Sequence, residues 1–184
     1  MIADMVTQTK WTYDDLVALG DDGLHHEIID GEHYVNPAPN IRHQTIVGNL
    51  FFALQAWLRT HPVGRAWVSP VDVLFSDFDV VEPDVLYVSN ERARIVTTPN
   101  VKGAPDLVIE VLSDSTRRKD EIKKRKLYET SGVIEYWIVD PEIDGVRIYR
   151  DGARVAELSL ENDNASTTPL LPGFEIPLSQ VFQD

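Results

Sequence analysis

Three charged residues stand where charge is out of place. Glu110 lies inside Leu107-Val108-Ile109-Glu110-Val111-Leu112, a nearly continuous apolar run of the kind that forms a strand covered on both faces. A carboxylate there costs several kcal/mol unless it is paired or coordinates a cation. Asp84 repeats the pattern within Val81-Glu82-Pro83-Asp84-Val85-Leu86-Tyr87-Val88. If residues 80–88 form one strand, Glu82, Asp84, Leu86 and Val88 share a face and Val85 and Tyr87 take the other. Lys124 is the third. In a helix following Glu110's strand it points between Leu127 and Tyr128, one turn back, so packing of those two on the sheet carries it inwards. Asp120 precedes it by four residues on the same side.

Each misfit has a plainer alternative. Glu110 could face solvent from an edge strand, and Pro83-Asp84 could mark a strand start. Asp120 and Lys124 could form an exposed helix pair worth roughly 0.3–0.5 kcal/mol. Together, two acids with a lysine beside them are what phosphodiester hydrolysis requires. The acids offer hard oxygen ligands to Mg²⁺ or Mn²⁺, with positions open for water and a phosphate oxygen. A bound metal lowers the pKa of its water and neutralises charge on the transition state. The lysine orients or deprotonates the attacking water and adds positive charge near the phosphate. Glycosidase chemistry also uses two carboxylates, but it leaves the lysine without a role.

The elements that must carry these residues are legible in outline. Thr12 and Asp15 open a short helix that stops at Gly20. Residues 27–35 read as a hairpin around Asp30-Gly31. Asn40 can cap a helix to about Thr60 whose apolar stripe is Val47, Leu50, Leu54, Trp57 and Leu58. Residues 66–75 read as a strand, with Pro70 hinting at an edge or a bulge. Strands over 80–88 and 107–112 follow, then a charged helix over 115–130 closed by Gly132. Residues 136–139 form a further central strand, and 146–149 with 154–158 flank Asp151-Gly152 as a second hairpin. The last part, with Pro169, Pro172 and Pro177, reads as an extended tail on the surface. The strand–helix–strand step over 107–139 implies a parallel crossover and a mixed sheet. The class is α/β or α+β, a layered sheet with helices on it, in one domain over 1–184 with its core at about 27–150.

Composition limits the chemistry further. With 184 residues, 43% hydrophobic and 26% charged, the chain suits one globular domain that removes about 70% of its unfolded surface from water. It has no cysteine, which excludes disulfides, thiolate zinc sites, iron–sulfur clusters and cysteine nucleophiles. Residues 1–10 lack the basic start and apolar run of a signal peptide. Residues 47–58, the most apolar stretch, are too short to span a bilayer. A cytoplasmic protein without a membrane partner is the expectation. The net charge of −13 disfavours a polyanion partner at long range. Against that, seven of the 17 basic residues fall within residues 117–126, a local surface for phosphate.

The order Pro83-Asp84, Glu110-Val111-Leu112 and a helical Lys124 resembles the PD-(D/E)xK nuclease signature with its lysine migrated from the position of Leu112 to the following helix. More specifically, the chain resembles the Uma-two family of "putative restriction endonucleases". The matching stretches are His26-Glu27-Ile28-Ile29-Asp30-Gly31-Glu32, His43, Val81-Glu82-Pro83-Asp84-Val85, and residues 103–113 from Gly103-Ala104-Pro105-Asp106 to Ser113. They continue with Asp120, Lys124 and Tyr128 and close with residues 132–141. His26 departs from the family, which more often has Tyr there.

The resemblance implies a restriction-endonuclease-like fold, a mixed central sheet flanked by helices with extra hairpins. It implies a metal-dependent DNA endonuclease in which Asp84 and Glu110 hold Mg²⁺ or Mn²⁺ and Lys124 is the catalytic lysine. Glu27 fits the family's first acidic position, as a further ligand through water or as a structural partner, and the carbonyl of Val111 as an extra ligand. His43 reads as a hydrogen-bonded core histidine and Asp106 as a turn acid. Ser113, Asp120 and Tyr128 stand beside the ligands. Two other readings stay open: a binding or regulatory module with this fold and little turnover, and a hydrolase of another phosphate ester. Edge strands on an acidic chain of this size also allow a homodimer. On the nuclease reading, Lys124→Ala removes activity and leaves folding nearly intact.

Overall fold

A capping box opens the first helix, α1 (Tyr13–Leu19): the Thr12 hydroxyl accepts from the Asp15 N–H and the Asp15 carboxylate accepts from the Thr12 N–H. The computed structural model describes residues 10–162 and 164–183, so the reading of residues 1–10 lies outside it except at Lys10. Asp30 and Gly31 both take positive φ (52° and 76°), the turn that joins β1 (His25–Ile29) to β2 (Glu32–Asn36). Asn40 caps α2 (Ile41–Thr60) by accepting from the His43 N–H at 2.8 Å. The stripe of α2 is buried at Val47, Leu50, Leu54 and Leu58, joined by Ile46.

Two sheets form the body of the molecule. The central one has six strands in the order β11-β10-β9-β8-β6-β3. These are β3 (Gly64–Val68), β6 (Val85–Ser89), β8 (Leu107–Val111), β9 (Glu135–Asp140), β10 (Gly145–Arg150) and β11 (Ala153–Ser159). Only β8 and β9 run parallel, with Glu110 opposite Ile138. The helical crossover between them is the one the sequence implies. The second sheet runs β2-β1-β5-β4-β7, with β4 (Val73–Ser76), β5 (Asp79–Val81) and β7 (Val101–Lys102). Helix α2 packs on one face of the central sheet, against Ile109, Trp137 and Val139. On the other face, Leu86, Val108 and Ile138 meet the second sheet and Leu127 and Tyr128. This is the mixed α+β architecture expected.

Four elements differ from the sequence reading, each for a physical reason. The strand over 66–75 is two strands in different sheets, because β3 ends before Ser69-Pro70. The strand over 80–88 is also two: β5 belongs to the second sheet and β6 to the central one. Pro83 has no N–H for a ladder, and the Glu82 N–H goes to the Glu27 carboxylate at 3.0 Å. The face-sharing expected of Glu82, Asp84, Leu86 and Val88 therefore stops at this break. The charged helix begins as a π-helical segment, Lys119–Lys124, before α3 (Arg125–Ser131), which ends at Gly132 with φ 86°.

The C-terminal part is core, not a surface tail. It folds as β12 (Ala165–Thr167), β13 (Glu175–Pro177) and α4 (Leu178–Val181). Leu171, Phe174, Ile176, Leu178 and Val181 are buried against α2, and the Asn49 amide donates to the carbonyls of Val181 and Gln183. No helix among the described residues is long and apolar enough to cross a membrane.

Candidate active site

The break at Glu82-Pro83-Asp84 is where the chain passes from one sheet to the other, and the charged cluster sits at that junction. The second sheet supplies Glu27 from β1, the central sheet supplies Glu110 from β8, and the crossing segment supplies Asp84. Strand parity explains Glu110: its neighbours Ile109 and Val111 face α2, so Glu110 faces the side that carries Lys124 and Tyr128. Its Oε1 accepts from Lys124 Nζ at 2.8 Å and from the Tyr128 hydroxyl at 2.5 Å. Asp84 Oδ2 accepts from the Val111 N–H at 2.7 Å, which ties the two acids together through one strand end. Val111 has no β6 partner at that level of the ladder, so its N–H is available to Asp84.

Lys124 Nζ also meets Glu27 Oε1 at 2.6 Å and lies 3.7 Å from Asp120 Oδ1. Lys119 reaches the other oxygen of Glu27 at 2.5 Å and bonds Asn36. In an α-helix, side chains five residues apart point about 140° away from each other. The π-helical segment, where the Arg125 N–H reaches back to Asp120, brings the fifth residue closer to its own face. Both lysines are thereby buried towards the same carboxylate.

Three carboxylates (Glu27, Glu110, Asp120) thus meet two ammonium groups, with Asp84 tied to them through Val111. Burial pushes Glu27 up, but Lys124, Lys119 and the Asn36 amide outweigh it and hold it at about 2. Burial also pushes Glu110 up, and Asp120, Asp84 and Glu27 add to it against Lys124, leaving it at about 8. Burial likewise raises Asp120. Burial works against the charge on Lys124, yet the carboxylates of Glu110, Glu27 and Asp120 keep it protonated well above the ordinary lysine range. Lys124 is thus held as a hydrogen-bond donor between Glu110 and Glu27. With 3% of its surface exposed and two carboxylates in contact, it also supports the fold, so folding nearly intact after Lys124→Ala is no longer the expectation.

The remaining residues divide clearly. His43 is buried on the α2 face of Val47 and Leu54, as expected of a core histidine, yet it also lines the cleft. Its Nε2 lies 3.3 Å from Asp84 Oδ2, and its Nδ1 has no hydrogen-bond partner among the described residues. Burial lowers its pKa, but Asp84 and the Val111 carbonyl outweigh that and raise it. Ser113 lines the cleft and bonds Ser115 and Thr116. Asp106 lies at the other end of β8, where it accepts from the Ser89 N–H at 2.7 Å as a turn acid does.

Sequence reasoning missed Lys119 and Asn36, whose only signal was a basic run and a strand end. Four of the run's seven basic residues are tied up in ion pairs, and Arg118 and Lys126 remain exposed without one among the described residues. Arg117 pairs with Asp140 and Glu142, Lys123 with Glu32, and Lys119 and Lys124 with Glu27.

The donor set suits a hard divalent cation. Asp84 and Glu110 line an open cleft of about 380 Å³, and the carboxylates outnumber the lysines. Asp120 Oδ1 is buried with no hydrogen-bond partner among the described residues. Among those residues no three His, Cys, Asp or Glu side chains are grouped to hold an ion. Asp84 and Glu110 are the two carboxylates in this cleft that could hold such an ion.

The family described as "Putative restriction endonuclease", Uma2, matches residues 12–179. No curated protein matches the chain. Among solved structures, a putative nuclease belonging to DUF820 from Anabaena variabilis ATCC 29413 is similar over 93% of this chain and 97% of its own, at 20% identity and a TM-score of 0.80. At that identity the likeness is one of fold.

Proposed function

This chain belongs to the Uma2 family of "putative restriction endonucleases", and on that premise we propose that it is a metal-dependent endonuclease that hydrolyses DNA phosphodiester bonds at the cleft of Asp84, Glu110 and Lys124. One observation carries the reading. Glu110, on a strand buried along its length, presents a carboxylate to a cleft it shares with Asp84, while a buried lysine from the next helix stands 2.8 Å from it.

Asp84 and Glu110 would hold Mg²⁺ or Mn²⁺, with the Val111 carbonyl beside them. When bound, the ion supplies Lewis acidity and an activated water. The chain's own residues do the rest. The Val111 N–H fixes the Asp84 carboxylate, and Tyr128 and Lys124 fix Glu110. Lys124, kept protonated by Glu110, Glu27 and Asp120, already donates to Glu110 and Glu27, so it offers its one remaining N–H and its charge to the attacking water. Glu27, with no exposed surface, positions Lys124 and does not itself reach the substrate.

The test is conversion of supercoiled plasmid to nicked and linear forms in Mg²⁺, in Mn²⁺ and in EDTA. Product in the metal-containing reactions alone is the expected result. Equal product in EDTA would overturn the metal dependence.

A further inference from the structure

Three cavities adjoin one another along β3, one of the two edge strands of the central sheet. The active-site cleft shares Pro70 and Glu82 with a second cavity of about 420 Å³. That cavity has Trp67 in its wall, and Trp67 also borders a third groove that holds Arg59 and Arg65. The link to the active site is short. The Ser69 N–H donates to the Asp84 carbonyl at 3.0 Å, and Trp67 stands two residues, about 7 Å of strand, before Ser69.

The second cavity is built for a flat ring with N–H donors. Trp67 is partly buried and offers an indole surface. Partly buried Asp72 and Glu82 line the cavity with carboxyl groups, Glu82 Oε2 lying 2.7 Å from His25 Nδ1, and Thr97 and Asn100 line it too. The amide on this wall is held in place: Asn100 donates to the Tyr13 hydroxyl at 3.1 Å and Thr97 donates to Asn100 at 2.7 Å. Two carboxyl groups make the cavity hostile to a phosphate. A nucleobase suits it, because an aromatic side chain stacks on any base and a carboxylate accepts from amino and imino N–H groups.

The cations next to it point the same way. Arg59 and Arg65 form no ion pair with an acid among the described residues; Arg94, Lys102, Arg118, Arg125 and Lys126 form none either, but Arg59 and Arg65 are the two that line the groove beside Trp67. In a chain of net charge −13, two unpaired arginines beside the cleft are suited to backbone phosphates.

We propose that the second cavity takes an unpaired nucleobase of the DNA strand being cut, stacked on Trp67 with its amino or imino groups donating to Asp72, while Arg59 and Arg65 hold the neighbouring phosphates. This rests on the reading of the cleft as a DNA phosphodiesterase and narrows its substrate to DNA with an extruded or unpaired nucleotide beside the cut. Guanine, with adjacent N1–H and N2 amino donors, matches the Asp72 carboxylate best. Opening a paired base costs stacking and pairing energy, so a nucleotide that is already unpaired is favoured.

The experiment uses the Glu110→Gln protein, so that bound DNA stays intact, and two labelled duplexes: one fully paired, one with a single bulged guanine. Binding is read by fluorescence anisotropy in Mg²⁺. The bulged duplex is expected to bind at least about tenfold tighter, within the range of about 5- to 150-fold that base–aromatic stacking supplies. Adding Trp67→Ala brings the ratio to within about twofold and Trp67→Phe keeps most of it. Asp72→Asn removes the preference for a bulged guanine over a bulged thymine. The ratio is the readout because partial unfolding lowers both affinities alike and leaves it unmoved. Equal affinity for the two duplexes, or a preference that survives Trp67→Ala, overturns the proposal. If the wild type still nicks plasmid with metal, only the assignment of this cavity falls; if no DNA is bound or nicked, the nuclease reading falls with it.

Discussion

Lys124 Nζ stands 2.6 Å from Oε1 of Glu27, although Glu27 belongs to the second sheet and Lys124 to the helical segment that crosses the central one. Glu27 has no exposed surface, and Lys119 takes its other oxygen. Removing the charge leaves two buried ammonium groups without their shared partner. Breaking a buried pair in this way costs about 3–5 kcal/mol, so Glu27→Gln is expected to lower unfolding free energy by that amount in urea titration. A loss below about 1 kcal/mol, the worth of an exposed pair, would contradict the buried arrangement.

The same carboxylate sets an acid limb. Glu27 is held at about 2 against an ordinary 4.5. Below 4.5 the unfolded chain takes up the proton first, so the stabilisation is whole above that pH and is lost as pH falls towards 2. Glu110, pushed up to about 8, acts with the opposite sign: its contribution is complete below 4.5 and is lost as pH rises through 8. It therefore leaves the acid limb alone. Urea midpoints between about pH 5 and pH 3 should fall more steeply for the wild type than for Glu27→Gln. Parallel lines would contradict the assignment.

The C-terminal part gives a stability test far from the cleft. Phe174 is buried and meets Trp57 edge-on, with ring centroids 6.3 Å apart. Phe174→Ala should cost about 3–5 kcal/mol, as deletion of a buried aromatic does. A cost near zero would return these residues to the surface.

The contrast between legible and hidden elements has a physical basis. The Asp30-Gly31 turn, the Asn40 cap and the α2 stripe are local, so their residues carry their own instructions. Glu110 was legible because a carboxylate in an apolar run is costly wherever the strand lies. The break at Glu82-Pro83-Asp84 was not, because an apolar run crossing between two sheets has the same spacing as one continuous strand. Lys119 was hidden in a basic run whose burial depends on a π-helical segment, and no spacing rule signals that segment. His43 lies on the buried stripe of α2, and its place beside Asp84 follows from how α2 lies on the sheet. The apolar residues of the C-terminal part, Leu171, Phe174 and Ile176, alternate with prolines that read as breaks, although Pro177 in fact leads into α4.

The most direct measurement is metal-dependent plasmid nicking by Glu110→Gln, beside its melting temperature. Glutamine keeps the shape of the side chain, and its amide oxygen can still accept from Lys124 and Tyr128, so the variant should still melt in one cooperative transition. Nicking in Mg²⁺ or Mn²⁺ should fall by at least about 10²-fold, the loss expected when a charge that acts on the transition state is removed. Nicking at the wild-type rate by a fully folded Glu110→Gln protein would contradict the account, because the one carboxylate that unites the strand, the lysine and the cleft would then have no part in the chemistry.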